Sequence, residues 1–405
     1  MKLNTFLTVF LTVLFSAVSF AGNNDKGDKT AAVAAYVFEE EMVLPATAVK
    51  DQYRTSTCWS FSGLSFLESE MLRLGKPEVD LSEMYVVRQT YSEKAKRYIR
   101  LHGELNFSPG GAFHDVTNMI SQFGIVPESV YSGLMEGQKK HVHNDLDNAL
   151  AQEVKGVVNN NEIDFKKVCR QTVDSTLNVY LGEIPQTFEY KGKNYTPQTF
   201  ATDYVGLKMD DYIEITSYTH HPFYSKFILE VPDNWSWDEV YNVPINEMDE
   251  IIDYSLENGF TVAWAADVSE KGFATSNKGF AVLPVAPAEE MSETENAKWH
   301  GMTEKEKDRE LYKLDKPVKE LEVTQEMRQT AFDNYETTDD HGMHIIGMAK
   351  TRDGKVFYKV KNSWGDYNKY DGYFYASKPY VEYKTMSLMV HKEGVPPLIR
   401  EKLKL

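Results

Sequence analysis

Cys58 is one of two cysteines in the 405-residue chain and the residue best placed to act as a nucleophile. It lies in the run Asp51-Gln52-Tyr53-Arg54-Thr55-Ser56-Thr57-Cys58-Trp59-Ser60-Phe61-Ser62. Downstream, Leu64, Leu67, Met71 and Leu74 recur at helical spacing. Thr55, Ser56 and Thr57 are good capping types, so Cys58 is expected in the first turn of a helix. There, unpaired backbone N–H groups and the positive end of the helix dipole favour an anion, and a lowered thiol pKa is expected. Gln52 could supply a side-chain amide to the same spot. With the Cys58 N–H it would make a two-donor oxyanion hole. A free cysteine is more often a small buried hydrophobe, so the assignment depends on a partner.

A thiol nucleophile needs an imidazole to take its proton, and the imidazole needs an acceptor on its other nitrogen to fix its tautomer. Both occur far downstream. One stretch reads Asp339-Asp340-His341-Gly342-Met343-His344-Ile345-Ile346-Gly347, the other Val360-Lys361-Asn362-Ser363-Trp364-Gly365. The Asn362 amide oxygen can orient an imidazole, with Trp364 shielding the bond from water. Strand alternation sets His341 and His344 on opposite faces, so only one of them can serve.

These three motifs, in this order, resemble those of the papain-like cysteine peptidases. Gln-x5-Cys-Trp-x-Phe is met by Gln52 to Phe61, Asp-His-small by Asp340-His341-Gly342, and Asn-Ser-Trp-Gly by Asn362 to Gly365. The His341–Gly347 spacing, Trp264 to Asp267, Phe332-Asp333-Asn334-Tyr335 and long insertions resemble the bleomycin hydrolase/aminopeptidase C branch. The resemblance implies an α+β, two-lobe papain-like fold with large, mainly helical insertions. It also implies cysteine aminopeptidase activity on peptides without a cofactor, with Cys58 as nucleophile, His341 as base, Asn362 as its orienting group and Gln52 at the oxyanion. Gly110 and Gly111 would edge the cleft and bond an extended substrate, and a homo-hexamer with an internal chamber is possible. In that branch a C-terminal arm enters the cleft, but the basic end Arg400-Glu401-Lys402-Leu403-Lys404-Leu405 suits that role poorly. Endopeptidase or Cys-His acyltransferase activity stays open, as does a non-catalytic peptide-binding role.

The elements that must hold these residues can be followed along the chain. Residues 1–21 read as a secretory signal peptide: Lys2, an apolar core from Phe6 to Phe15, then Ser19-Phe20-Ala21. The peptidase domain is expected over 22–405, outside the cytoplasm, in the periplasm or beyond, with no membrane span in the mature chain. Gly22 to Thr30 is polar, and the stretch before Cys58 is short for an inhibitory pro-region. A net charge of -17 argues against nucleic acid as a partner. If Cys58 must stay free, Cys169 is a lone thiol.

Further helices are expected from Leu81 to about Tyr98 and from Ala112 to Phe123. Strands are expected at Phe260–Val268, His344–Ala349, Val356–Val360 and Gly372–Ala376. Insertions are placed at about 134–256 and 287–327, the second highly charged and exposed. His141 with His143, and His220 with His221, are read as solvated or packed, and no metal is assigned. Trp235 and Trp237 are read as core.

Overall fold

Helix α1 (Cys58–Arg73) is buried on every face from Trp59 to Met71, as befits a helix between two layers rather than on a surface. The structure is a computed structural model that describes residues 36–160, 172–286 and 291–405. The expected leader, the polar stretch after it and Cys169 lie outside the described residues. Ala35–Leu405 make one compact unit.

On one side of α1 lie α2 (Glu83–Arg100), α3 (Phe113–Phe123), α4 (Asn144–Val158) and α5 (Asp174–Leu181). Their shared core gathers Leu64, Phe66 and Leu67 with Tyr85, Val116, Ile120 and Leu150. The Ser82 side chain caps α2 by accepting from the Tyr85 N–H at 3.0 Å, which is why α2 starts at Glu83. On the other side of α1 lies the sheet.

In chain order the strands are β1 (Phe38–Val43), the hairpin β2 (Phe188–Tyr190) and β3 (Lys193–Tyr195), then β4 (Tyr212–Thr216), β5 (Lys226–Ile228) and β6 (Glu239–Asn242). After helix α6 (Ile245–Glu257) come β7 (Val262–Ala266), β8 (Phe273–Ala274) and β9 (Phe280–Ala281). The charged segment follows, with α7 (Glu293–His300) and α8 (Glu304–Leu311), then α9 (Gln325–Asp333). The chain ends with β10 (His341–Thr351), β11 (Val356–Lys361), β12 (Tyr373–Ser377), α10 (Lys378–Lys384), β13 (Thr385–His391) and α11 (Pro397–Leu403).

Among the described residues the main sheet runs β5-β6-β4-β13-β7-β10-β11-β12-β9-β8, with β1 also on β10. Its core holds Ile251, Trp264, Met343, Tyr358, Val360 and Phe374. The helical layer and the sheet are the two lobes expected. β10 is central, and its antiparallel register sets His341 opposite Ala266 of β7 and His344 opposite Lys361 of β11. Asn362, one residue past Lys361, therefore comes level with the start of β10.

Among the described residues the first insertion carries helices at its two ends and, between them, the short helical stretches Pro197–Thr199 and Phe200–Val205 together with β2 to β6, three of which extend the main sheet. These strands span three to five residues, too short to show a period in the sequence. The charged segment does form exposed helices. α7 and α8 bury no residue, and each begins with a capping box, Ser292 with Glu295 and Thr303 with Glu306.

Candidate active site

Cys58 is the first residue of α1, but the cap before it differs from the expected one. The Thr57 side chain donates to Thr55 Oγ1 at 2.7 Å instead of closing over the helix N–H groups. The helix end therefore keeps donors free beside the sulfur. β10 approaches this end closely. A Cβ on Gly342 would lie 2.8 Å from Ser62 Oγ and 3.2 Å from Trp59 Cα, so only glycine fits there without displacing α1. The contact brings His341 to the mouth of α1, and Cys58 and His341 line the same cleft.

The imidazole is held from two sides. Its Nε2 donates to Asn362 Oδ1 at 2.7 Å, and its face stacks on Trp364 with ring centroids 4.7 Å apart. The Ser363 N–H also donates to Asn362 Oδ1, and Asn362 Nδ2 donates to the Tyr367 hydroxyl. These bonds set which way the amide faces and so fix the proton on Nε2 of His341. The lone pair of Nδ1 is left for a proton from elsewhere.

Gln52 is buried and oriented in the same manner. The Ser363 hydroxyl donates to its Oε1 at 2.6 Å, and its backbone N–H donates to the Ser363 carbonyl. With Oε1 engaged, the NH2 group is the end left for the cleft that Gln52 lines. Ser363 is a residue the sequence reading passed over, although it stands inside the Asn-Ser-Trp-Gly motif.

Burial pushes the Cys58 thiol up to about 12, although the N–H groups of Gly342 and Trp59 act in the opposite direction. It lowers His341 to about 4, opposed by the bond to Asn362. The lowered thiol pKa expected from the helix end is thus reversed, because desolvation is the larger effect. Taken one at a time, both groups favour their uncharged forms.

His344 points away from the cleft. It is fully buried, with Nδ1 2.9 Å from Ser65 Oγ, and that hydroxyl accepts from Lys361 Nζ at 2.7 Å. Gly110 and Gly111 line the cleft beside Trp59, whose Nε1 donates to the Pro109 carbonyl. The cleft is a cavity of about 500 Å³. His220 and His221 both reach Glu230, at 3.0 and 2.8 Å. The potential ligand atoms of these three lie within 4.8 Å of one another. His141 and His143 pack edge to face, and burial lowers both to about 4. Trp235 is buried with its Nε1 on Asp115 Oδ2, whereas Trp237 is exposed under Arg97.

A thiol at a helix start, an imidazole with an amide acceptor, and a second amide beside them, set between a helical lobe and a sheet, define the architecture of a papain-like cysteine peptidase. The chain belongs to the Peptidase C1-like family, matching it over residues 18–404. It is 23% identical to aminopeptidase C of Lactococcus lactis subsp. cremoris over 396 residues, covering 89% of this chain and 84% of that one. It is likewise 23% identical to aminopeptidase W of Lactobacillus delbrueckii subsp. lactis over 400 residues, covering 88% and 83%. Its fold is similar to the crystal structure of pepw from Lactobacillus rhamnosis, with a TM-score of 0.65, 20% identity and coverage of 91% and 85%. Among the described residues no helix is long and apolar enough to cross a membrane.

Proposed function

We propose that this cysteine peptidase removes amino acids from the free N-termini of peptides through a thioester on Cys58. The observation that carries the chemistry is the 2.7 Å bond from His341 Nε2 to Asn362 under the Trp364 ring, which leaves Nδ1 as the base. His341 takes the thiol proton as the sulfur attacks the carbonyl, so charge develops only as the oxyanion forms. Cys58 N–H and Gln52 Nε2 donate to that oxyanion. The imidazolium then protonates the leaving amine, and the acyl group stays on sulfur. Water, deprotonated by His341, hydrolyses the thioester and regenerates the thiol.

The aminopeptidase part of the reading is supported by the names of the relatives and tested by substrate choice. An aminoacyl-coumarin with a free amine is expected to be cleaved at least about tenfold better, in kcat/KM, than its N-acetylated form. Preference for the acetylated compound would instead make the protein an endopeptidase. Export by residues 1–21 is part of the same proposal, and N-terminal sequencing of the mature protein would show cleavage after Ala21.

Gln52→Ala is expected to lower kcat by about 10²-fold, the usual effect of losing one oxyanion donor, with little change in KM. Alkylation of Cys58 by iodoacetamide passes through no oxyanion and should continue at close to the wild-type rate. A kcat within threefold of wild type would remove Gln52 from the mechanism.

A further inference from the structure

An enzyme that selects free N-termini must recognise an α-ammonium separated from the attacked carbonyl by a single Cα. Its anionic partner therefore has to lie within the cleft, about one residue from Cys58. Residues 397–405 do not line the cleft. Their helix is tied to α6, with Lys402 donating to Glu247 at 2.5 Å, and Ser255 bonds the Gly394 carbonyl just before it. The carboxylates that do line the cleft are Glu214, Asp233, Asp339 and Asp340.

We propose that Asp233 and Asp339, which both line the cleft, bind the α-ammonium of the substrate's N-terminal residue. Asp233, from the loop between β5 and β6, also closes the cleft beyond that residue. The inference rests on the aminopeptidase reading and supplies the recognition group that reading needs.

The cleft wall can be followed outward from Cys58. Trp59 is next to it, and Gly111 packs on the Trp59 ring, where a Cβ would fall 2.9 Å from Cε2. Gly110 is one Cα step further, about 3.8 Å. Its open side is covered by the Asp233 carboxylate, for a Cβ there would fall 1.9 Å from Oδ2. The Gly110 carbonyl is already taken by Lys94. An extended substrate running along this wall, as expected for Gly110 and Gly111, meets a carboxylate where its next residue would go.

Asp233 is fixed but not used up. Its Oδ1 accepts from Ser108 Oγ at 3.1 Å and Asn106 Nδ2 at 3.2 Å, whereas Oδ2 accepts nothing among the described residues. Asp339 likewise accepts no hydrogen bond among the described residues, whereas Asp340 bonds Thr338 and the Val268 N–H. Glu214 is matched by His114, Nδ1 to Oε1 3.0 Å. Lys94 and His114 thus face Asp115 as well as Asp233, Asp339, Asp340 and Glu214. This excess shows in the carboxyls. Burial raises Asp339 to about 8, helped by Asp233, Asp340 and Glu214, and burial also raises Asp233 despite Lys94. An incoming ammonium relieves the repulsion and meets carboxylate oxygens that no described donor occupies.

The test compares aminoacyl-coumarin with its N-acetyl form in wild type, Asp233→Asn and Asp339→Asn. Asparagine keeps the shape and the Oδ1 acceptor, and iodoacetamide labelling of Cys58 checks that the site is intact. The expected result is a fall of about 10- to 100-fold in the free-to-acetylated ratio of kcat/KM in each variant, carried mainly by KM. Asp233→Gly should in addition admit acetylated dipeptidyl-coumarins that wild type cleaves poorly. A wild-type enzyme that favours free amines, with variants whose ratio stays within threefold of it, overturns this ammonium site and leaves the aminopeptidase reading standing. A wild type that favours acetylated substrates overturns both.

Discussion

Cys58→Ala is expected to abolish peptide hydrolysis. The expected loss reaches the background of the assay, because the step that forms the acyl intermediate has no other nucleophile. Iodoacetamide should label Cys58 in the folded protein well ahead of Cys169, since His341 lines the same cleft and can take the Cys58 proton as the sulfur attacks. The pH dependence is set by His341. Burial lowers it to about 4, so it stays an uncharged base down to that pH and is lost as a base only below it. The labelling rate, which involves no substrate ammonium, should therefore fall on the acid side with an apparent pKa near 4, not near the ordinary histidine value of about 6.5. Residual turnover in Cys58→Ala above a few per cent, or equal labelling of the two cysteines, would remove Cys58 from the centre of the mechanism.

The fold-level reading came from three short motifs whose residue types are demanded by chemistry and by close packing. Cys58 had to begin a helix, His341 had to begin a strand, and Gly342 had to be small for the two to meet. Each constraint fixes residue types within a short stretch and so leaves a local trace, even where, as at Gly342, the contact is with a helix distant in sequence. The thiol pKa left none, because its direction depends on how much protein closes over the sulfur. A helix end contributes a known sign, but desolvation depends on the loops around Ser108, Asp233 and Asp339, which come from three separate parts of the chain. The same is true of β4 to β6. Lys226–Ile228 has no periodicity to read and is a strand because Glu239–Asn242 pairs with it. Asp233 was invisible for the same reason, since its importance comes from contact with Gly110 across more than a hundred residues.

The second large effect separates the two histidines. His341→Ala is expected to lower kcat by about 10²- to 10⁴-fold, the range for removing a positioned general base, while the protein stays folded. His344→Ala should act on stability instead. Its ring is sealed between α1 and β11, where Ser65 accepts from Lys361 and is left to donate to His344 Nδ1. That arrangement places the ring proton on Nε2, which has no partner, and burial with nearby Lys361 holds the imidazole well below its usual pKa. An uncharged ring without a path to the cleft cannot exchange protons with substrate. Its removal leaves a cavity and an unsatisfied Ser65 hydroxyl, together costing about 2–4 kcal/mol of stability. The measurement pairs kcat with a urea midpoint for each variant. His341→Ala should move the first and leave the second close to wild type, and His344→Ala should do the reverse. A His344→Ala protein with a wild-type urea midpoint and no activity would show that the base had been placed on the wrong face of β10.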